Sequence, residues 1–270
     1  MTQTKRQKAI VKIADSRILE DKQLLFLCGL HRSGTTIIHD HLRTQLHTAY
    51  LQAPVPENEG QFLQNVFPQA FLFGGTGRFS FHREMNPPPE MPQSALRKRE
   101  LLLGQWSHWT QERDSNLFIE KSPPNLTKTA FLRSIFPKAK FIVITRHPAA
   151  VAGATQKWAR TSIVELLLHW HVAHKILLQD EDLSYHLVRY EDFCKSPKDT
   201  INQAICALNL QQHKREIATP VPIRFQRVQN TNGKYMRLPI VKDSFKRVLQ
   251  YIENPSWQHF GYESNAQQQK

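Results

Sequence analysis

The feature that most constrains this chain is the loop GLHRSGTT at residues 29–36, set between two apolar segments. Ahead of it, Gln23 to Cys28 reads QLLFLC, a short continuous apolar run of the kind that forms a strand buried on both faces. Behind it, Ile37, Ile38, Leu42 and Leu46 recur at roughly helical spacing, which predicts a helix over Thr35 to Leu46. A strand that runs through a glycine-bounded loop into a helix makes an anion cradle. Glycine lets the backbone curl until successive N–H groups point inward, and the helix N-terminus adds its dipole and free amides. Arg32 contributes a planar charged fork for phosphate or sulfate oxygens, and Thr35 and Thr36 contribute hydroxyl donors.

The loop departs from the nucleotide-triphosphatase pattern G-x-x-x-x-G-K-[ST] in one place. Gly29 and Gly34 match, but Thr35 stands at the lysine position. No acidic magnesium ligand is evident after a strand either, which disfavours transfer of a γ-phosphate. An anion cradle without magnesium machinery suits a nucleotide whose 5′ group is a phosphosulfate.

The rest of the chain alternates strands with helices. Leu117 to Glu120, Lys140 to Thr145 (KFIVIT) and Tyr185 to Tyr190 (YHLVRY) read as further strands. Helical spacing predicts helices over Glu59 to Phe71, Ser94 to Gln111, Leu126 to Phe136 and Ser162 to Leu178. Another starts at Pro148, one spans about Pro197 to Leu208, and one lies near Val241 to Ile252. Strands separated by helices need parallel crossovers, so the expected fold is α/β, with a mostly parallel central sheet flanked by helices. Residues 72–92, with Gly74, Gly75, Gly77, Pro87, Pro88, Pro89 and Pro92, read as irregular, either an acceptor-side lid or a disordered insertion. At 270 residues with no linker, the chain reads as one domain over 1–270, with a core at about 23–208 and an irregular extension over 209–270.

Composition narrows the partners. The 36 Lys and Arg against 23 Asp and Glu give a formal charge of +13, which favours polyanions or phosphorylated cofactors and equally fits a solvated basic surface. No helix-turn-helix or RRM signature accompanies it, so nucleic acid is not an expected partner. Cys28, Cys194 and Cys206 fit neither a zinc site nor a disulfide framework, in keeping with a reducing compartment. The basic N-terminus has no signal-type apolar stretch, and LLFLCGL at 24–30 is too short to span a bilayer. A cytoplasmic protein with no membrane span is expected. His39 and His41 point to different sides of their helix, and His169, His171 and His174 form no better set, so no metal is expected.

A second anion site is legible where KFIVIT runs into Arg146-His147-Pro148. Ligands of open α/β sheets bind beyond the C-terminal ends of the strands, where Arg146 can clamp a second phosphate such as a ribose 3′-phosphate. Lys121 also follows a strand directly, which suits either a place at that edge or the surface.

GLHRSGTT, EKSPPNL, FIVITRHP and VRYEDF, in this order over residues 23–208, resemble the sulfotransferases that use 3′-phosphoadenosine-5′-phosphosulfate (PAPS). The chain is most similar to the bacterial and Golgi-type branch, whose first loop reads P-R-S-G-T-T. The resemblance implies a P-loop NTPase-like sulfotransferase fold. It also implies metal-free transfer of a sulfuryl group from PAPS to a hydroxyl or amine of a small-molecule, glycan or peptide acceptor, releasing 3′-phosphoadenosine-5′-phosphate (PAP). By that resemblance Arg32, Ser33, Gly34, Thr35 and Thr36 hold the 5′-phosphosulfate and Arg146 the 3′-phosphate. The serine that joins this arginine in many members falls on Ala154, leaving Thr155 as the adjacent hydroxyl. Tyr190 matches a position near the adenine or ribose, and Gly233-Lys234 resembles a loop that closes over the 3′-phosphate.

Sulfuryl transfer needs a base for the acceptor proton and cations for the developing charge. Arg32 and Lys121 are the candidate cations. Glu59 is the candidate base, because Glu57-Asn58-Glu59-Gly60-Gln61 resembles the acidic motif of the tyrosyl-protein and related sulfotransferases. Glu57 and His82 are the alternatives. Two other readings compete with the enzyme: a P-loop small-molecule kinase using ATP, and a non-catalytic basic polyanion-binding protein.

Overall fold

The structure, a computed structural model, describes residues 17–210 and 228–262. The basic N-terminal segment and the Gln-rich last residues lie outside the described residues. Six strands, β1 (Gln23–Cys28), β2 (Ala49–Leu51), β3 (Thr110–Gln111), β4 (Leu117–Lys121), β5 (Lys140–Thr145) and β6 (His186–Arg189), form one sheet in the order β3-β2-β4-β1-β5-β6. Every neighbouring pair is parallel except β2 with β3. The chain leaves β1 for the β2–β4 side and later crosses back to β5. β1 is therefore flanked by strands reached in opposite directions, the topological switch point at which such sheets bind ligands. The register pairs Leu27 with Lys121 and Cys28 with Val143, so Lys121, the loop after β1 and Arg146 emerge at the same edge.

The helices are α1 (Arg17–Glu20), α2 (Thr35–Arg43), α3 (Pro92–Ser107), α4 (Thr129–Ile135), α5 (Pro148–Gln156), α6 (Ile163–Leu178), α7 (Tyr190–Lys195), α8 (Pro197–Ala207), α9 (Asn232–Met236), α10 (Pro239–Tyr251) and α11 (Ser256–His259). Alternate residues of β1 serve two cores, as the period of a strand dictates. Leu24, Phe26 and Cys28 pack with Trp106 of α3 and Trp170 of α6. Leu25 and Leu27 pack with Ile38 and Leu42 of α2 and Ile201 and Ile205 of α8.

Several expectations need correction. Glu59 to Phe71 is not an α-helix but a chain of turns, with 3₁₀ segments at Gly60–Phe62 and Ala70–Phe73. Glutamine side chains there take backbone donors that a helix would keep. Gln64 Oε1 accepts from the Phe67 amide at 2.9 Å, and Gln61 Oε1 accepts from the Ala70 amide at 3.0 Å. Pro68 further removes an N–H from the segment. Residues 72–92 do not hang free: they turn through 3₁₀ segments at Phe79–Phe81 and Arg83–Met85, and Phe79 and Met85 are fully buried. The stretch read as one helix from Leu126 to Phe136 splits into a 3₁₀ segment, Pro123–Thr127, and α4. The stretch read as a helix from Ser94 to Gln111 ends as α3 at Ser107, and its last two residues form β3; β2, too brief to show a period, has no counterpart in the sequence reading.

Candidate active site

The loop after β1 is wound tightly. Gly34 has φ 96°, and a Cβ there would lie 2.5 Å from Cδ2 of Tyr190. Arg32, a non-glycine residue, also occupies the left-handed region at φ 68°. Gly34 is the N-cap of α2 and offers no side-chain cap, so the first-turn amides keep their capacity for a ligand. Ser33 Oγ is buried with no hydrogen-bond partner among the described residues, while the Ser33 amide donates to the Leu30 carbonyl at 3.0 Å. Arg32 is exposed, with its guanidinium carbon 6.0 Å from the Trp158 ring centre. A cradle with uncapped amides, an orphaned buried hydroxyl and a free cation fits a phosphosulfate or phosphate group.

On the β5 side, Arg146 braces this loop. Its Nη1 donates to the Arg32 carbonyl at 2.9 Å, its Nε to Asn232 Oδ1 at 2.8 Å and its Nη2 to Thr231 Oγ1 at 3.0 Å. Its guanidinium carbon lies 4.4 Å from the centre of the Tyr190 ring and 5.8 Å from that of Tyr235. Glu191 organises the surroundings. Its Oε1 accepts from Asn232 Nδ2 at 2.6 Å and from the His147 amide at 2.9 Å, and its Oε2 accepts from the Tyr262 hydroxyl at 2.8 Å. Tyr190 donates to the Gln229 carbonyl at 3.0 Å, and burial pushes its hydroxyl up to about 12.

On the β4 side, Lys121 Nζ donates to the Glu57 carbonyl at 2.9 Å and lies 3.7 Å from Glu59 Oε1. Glu59 Oε2 accepts from Gln61 Nε2 at 2.6 Å. Burial raises the Glu59 carboxyl above its ordinary range, with the Lys121 charge opposing the shift. Thr36 Oγ1 donates to Glu57 Oε2 at 3.4 Å, and Glu57 and Asn58 have φ of 49° and 53°.

The other residues singled out lie elsewhere. Thr155 Oγ1 is buried without a partner among the described residues, beside a small cavity shared with His31 and His169, and Thr231 and Asn232 are the side chains that hydrogen-bond Arg146 there. Gly233 and Lys234 lie at the start of α9, directly after those two residues. His82 is exposed, its ring edge-on to Phe73. Thr231, Asn232, Glu191 and Tyr262 escaped the sequence reading. VRYEDF and NTNGK flagged their neighbourhoods, but nothing in either string shows that they meet. Among the described residues one group offers three metal ligands, His47, Glu112 and Asp114, and it shares no residue with the loop, Arg146 or Lys121.

The sulfotransferase family model matches residues 25–214. Among solved structures, the chain is similar to sulfotransferase STF1 from Mycobacterium tuberculosis, with a TM-score of 0.58 at 12% identity over 87% of this chain and 78% of that one. It is also similar to sulfotransferase STF9 from Mycobacterium avium, with a TM-score of 0.53 at 14% identity over 88% and 79% of the two chains. No curated protein matches the sequence. At these identities the structures speak to the fold, the mostly parallel P-loop-like sheet of sulfotransferases. The family match covers most of the chain and spans both the β1 loop and Arg146, and the chain belongs to the sulfotransferase family.

Proposed function

We propose that this chain is a cytoplasmic, single-domain enzyme that transfers the sulfuryl group of PAPS to a hydroxyl or amine of an acceptor and releases PAP. The observation that carries the reading is an anion cradle with a cation on each side, Arg146 bonded directly to the Arg32 carbonyl and Lys121 linked to Thr36 only through Glu57. Thr35 stands where an NTPase loop carries its phosphate-binding lysine, and the transfer is read as one that needs no magnesium.

PAPS supplies an activated sulfuryl group on its 5′-phosphate and a 3′-phosphate that distinguishes it from ATP. The uncapped amides of Thr35 and Thr36, the orphaned hydroxyl of Ser33, the turn at Gly34 and the free fork of Arg32 bind the 5′ end. Arg146, oriented by Thr231 and Asn232, binds the 3′-phosphate. Tyr190 stacks beside it, and Gly233 and Lys234 approach from the start of α9. Thr155, on α5, lends a hydroxyl only if its buried side chain reorients. Lys121 and Arg32 hold the charge that develops on the sulfuryl oxygens. Glu59 takes the acceptor proton, a task that its raised carboxyl pKa favours. Glu57, which is exposed, and His82, exposed against Phe73, are the alternatives for the base.

Calorimetric titration with PAP in the absence of magnesium tests the reading on wild type and on Arg146→Ala. Wild type binds at micromolar concentration or tighter. The variant loses about 1.5–3 kcal/mol, the worth of a charged hydrogen bond. Folded wild type that ignores PAP and binds ATP with magnesium overturns the reading in favour of a kinase.

A further inference from the structure

A cavity of about 260 Å³ opens between α2 and the end of β2, on the β4 side of β1. Arg146 follows β5, on the other side of β1. Thr36, Asp40 and Arg43 recur at i, i+4 and i+7, so one face of α2 forms a wall of this cavity. Tyr50 and Gln52 line it from the β2 end, and Lys121 with Glu57 brings it to the chemistry described above. The Arg43 guanidinium carbon lies 3.3 Å from the centre of the Tyr50 ring, so the arginine covers one face of that ring. Asp40 Oδ1 is 3.0 Å from His39 Nδ1.

The wall chemistry differs from that of the whole chain. The chain carries +13, but in this cavity Asp40 and Glu57 offset Arg43 and Lys121. Burial lowers the pKa of His39, which favours its neutral form. The lining holds hydrogen-bond acceptors (Asp40, Glu57), donors (Arg43, Lys121) and an amide that does both (Gln52). A hydroxyl likewise donates and accepts, so a molecule bearing several can pair with every one of them. A flat phenol would displace water from the polar walls without replacing its hydrogen bonds, and a polyanion would meet two carboxylates. The volume falls below the roughly 300–1,000 Å³ typical of drug-sized ligand sites.

We infer that this cavity is the acceptor site, and that the acceptor is a neutral polyhydroxylated small molecule of about monosaccharide size. The inference rests on the proposed sulfuryl transfer for its chemical step but not for binding. In that step one acceptor hydroxyl beside Lys121 and Thr36 forms the new O–S bond. Its proton passes to a carboxylate beside Lys121, either Glu57 of the cavity wall or Glu59 at 3.7 Å from Lys121 Nζ, and the bond from sulfur to the bridging oxygen breaks, leaving its electron pair on the 5′-phosphate of PAP.

The test is saturation-transfer NMR on the full chain with three probes, methyl α-glucopyranoside, myo-inositol and 4-nitrophenol, with and without PAP. Gln52→Trp fills the cavity and Asp40→Asn removes one carboxylate charge. At least one polyol binds wild type in preference to 4-nitrophenol. Its affinity falls by about tenfold or more in Gln52→Trp, equivalent to 1.4 kcal/mol. Asp40→Asn weakens it to a smaller degree, and the PAP affinity of both variants stays close to wild type, which also reports that they fold. The inference is overturned if neither polyol binds, if the phenol binds better, or if Gln52→Trp leaves polyol binding unchanged. PAP binding without polyol binding removes this acceptor site and leaves the proposed function standing. Polyol binding lost in Gln52→Trp, with no PAP binding to wild type, removes the function and leaves the site.

Discussion

Glu120 holds the backbone of Gly60. Its buried Oε1 accepts the Gly60 amide at 3.0 Å, while the Gly60 carbonyl accepts from Trp106 Nε1 at 3.0 Å. Ser122 Oγ and Asn125 Nδ2 also donate to the same carboxylate. Glu59 precedes this clamped peptide and Lys121 follows Glu120, so one buried carboxylate sets the spacing of the candidate base and cation. Glu120→Ala strands these donors in the interior at about 1–3 kcal/mol each where water cannot reach them. Urea unfolding is expected to show a loss of several kcal/mol. Glu120→Gln keeps the shape and loses less stability. Its signature is a fall in kcat with PAP affinity near wild type, an outcome that a purely structural role would not produce.

Gly34→Ala tests the packing of the cradle on Tyr190. Two separate penalties meet at this position. The backbone sits at φ 96°, and the added Cβ would stand 2.5 Å from the Tyr190 ring. The strain alone is worth of order 1–3 kcal/mol. Relief of the clash pushes Tyr190 away from Arg146, so PAP affinity is expected to fall together with Tm, measured by calorimetry and thermal unfolding.

Glu59 links rate to pH and stability in opposite directions. Its carboxyl is raised above 4.5 by burial, so in the window above that value the folded state holds a proton that the unfolded chain releases. The contribution of Glu59 to stability therefore falls as pH rises through its folded pKa. Its usefulness as a base rises over the same window. Glu59→Gln is expected to lower kcat by roughly 10²–10⁴-fold and to flatten the acid limb of the rate profile. At pH 7 its Tm should equal or exceed that of wild type. A variant that unfolds more easily at pH 7 would show that Glu59 is structural.

Lys128 is buried at 1% exposure with weak partners, the Pro124 carbonyl at 3.4 Å and Met85 Sδ at 3.8 Å. Burial lowers its pKa from 10.5 to about 7, with the Glu120 charge opposing the shift. The unfolded chain thus binds more protons between about pH 7 and 10.5, and stability rises with pH across that window. Lys128→Met, of similar length and apolar, is expected to be more stable than wild type by about 1–4 kcal/mol at or below pH 7. The advantage should shrink as pH approaches 10. Chemical denaturation of both proteins across the range measures it.

The sequence by itself determined the fold class and the place of the cradle. QLLFLC and KFIVIT are local apolar runs, and a glycine-bounded loop between a strand and a helix has few alternative geometries, so Arg32, Ser33, Gly34, Arg146 and Lys121 could be named from short strings. Tertiary structure decided which side chains complete the candidate site. Thr231 and Asn232 reach Arg146 across 85 and 86 residues, and Glu120 reaches Gly60 across 60. Such contacts follow from strand order and loop packing, which leave no periodic trace in the chain. The segment after Glu59 shows the same limit. Its apolar spacing reads as a helix, yet Gln61 and Gln64 divert its amides into turns. Hydrophobic periodicity records which residues are buried, whereas the hydrogen bonds that a backbone makes are settled only when its partners arrive.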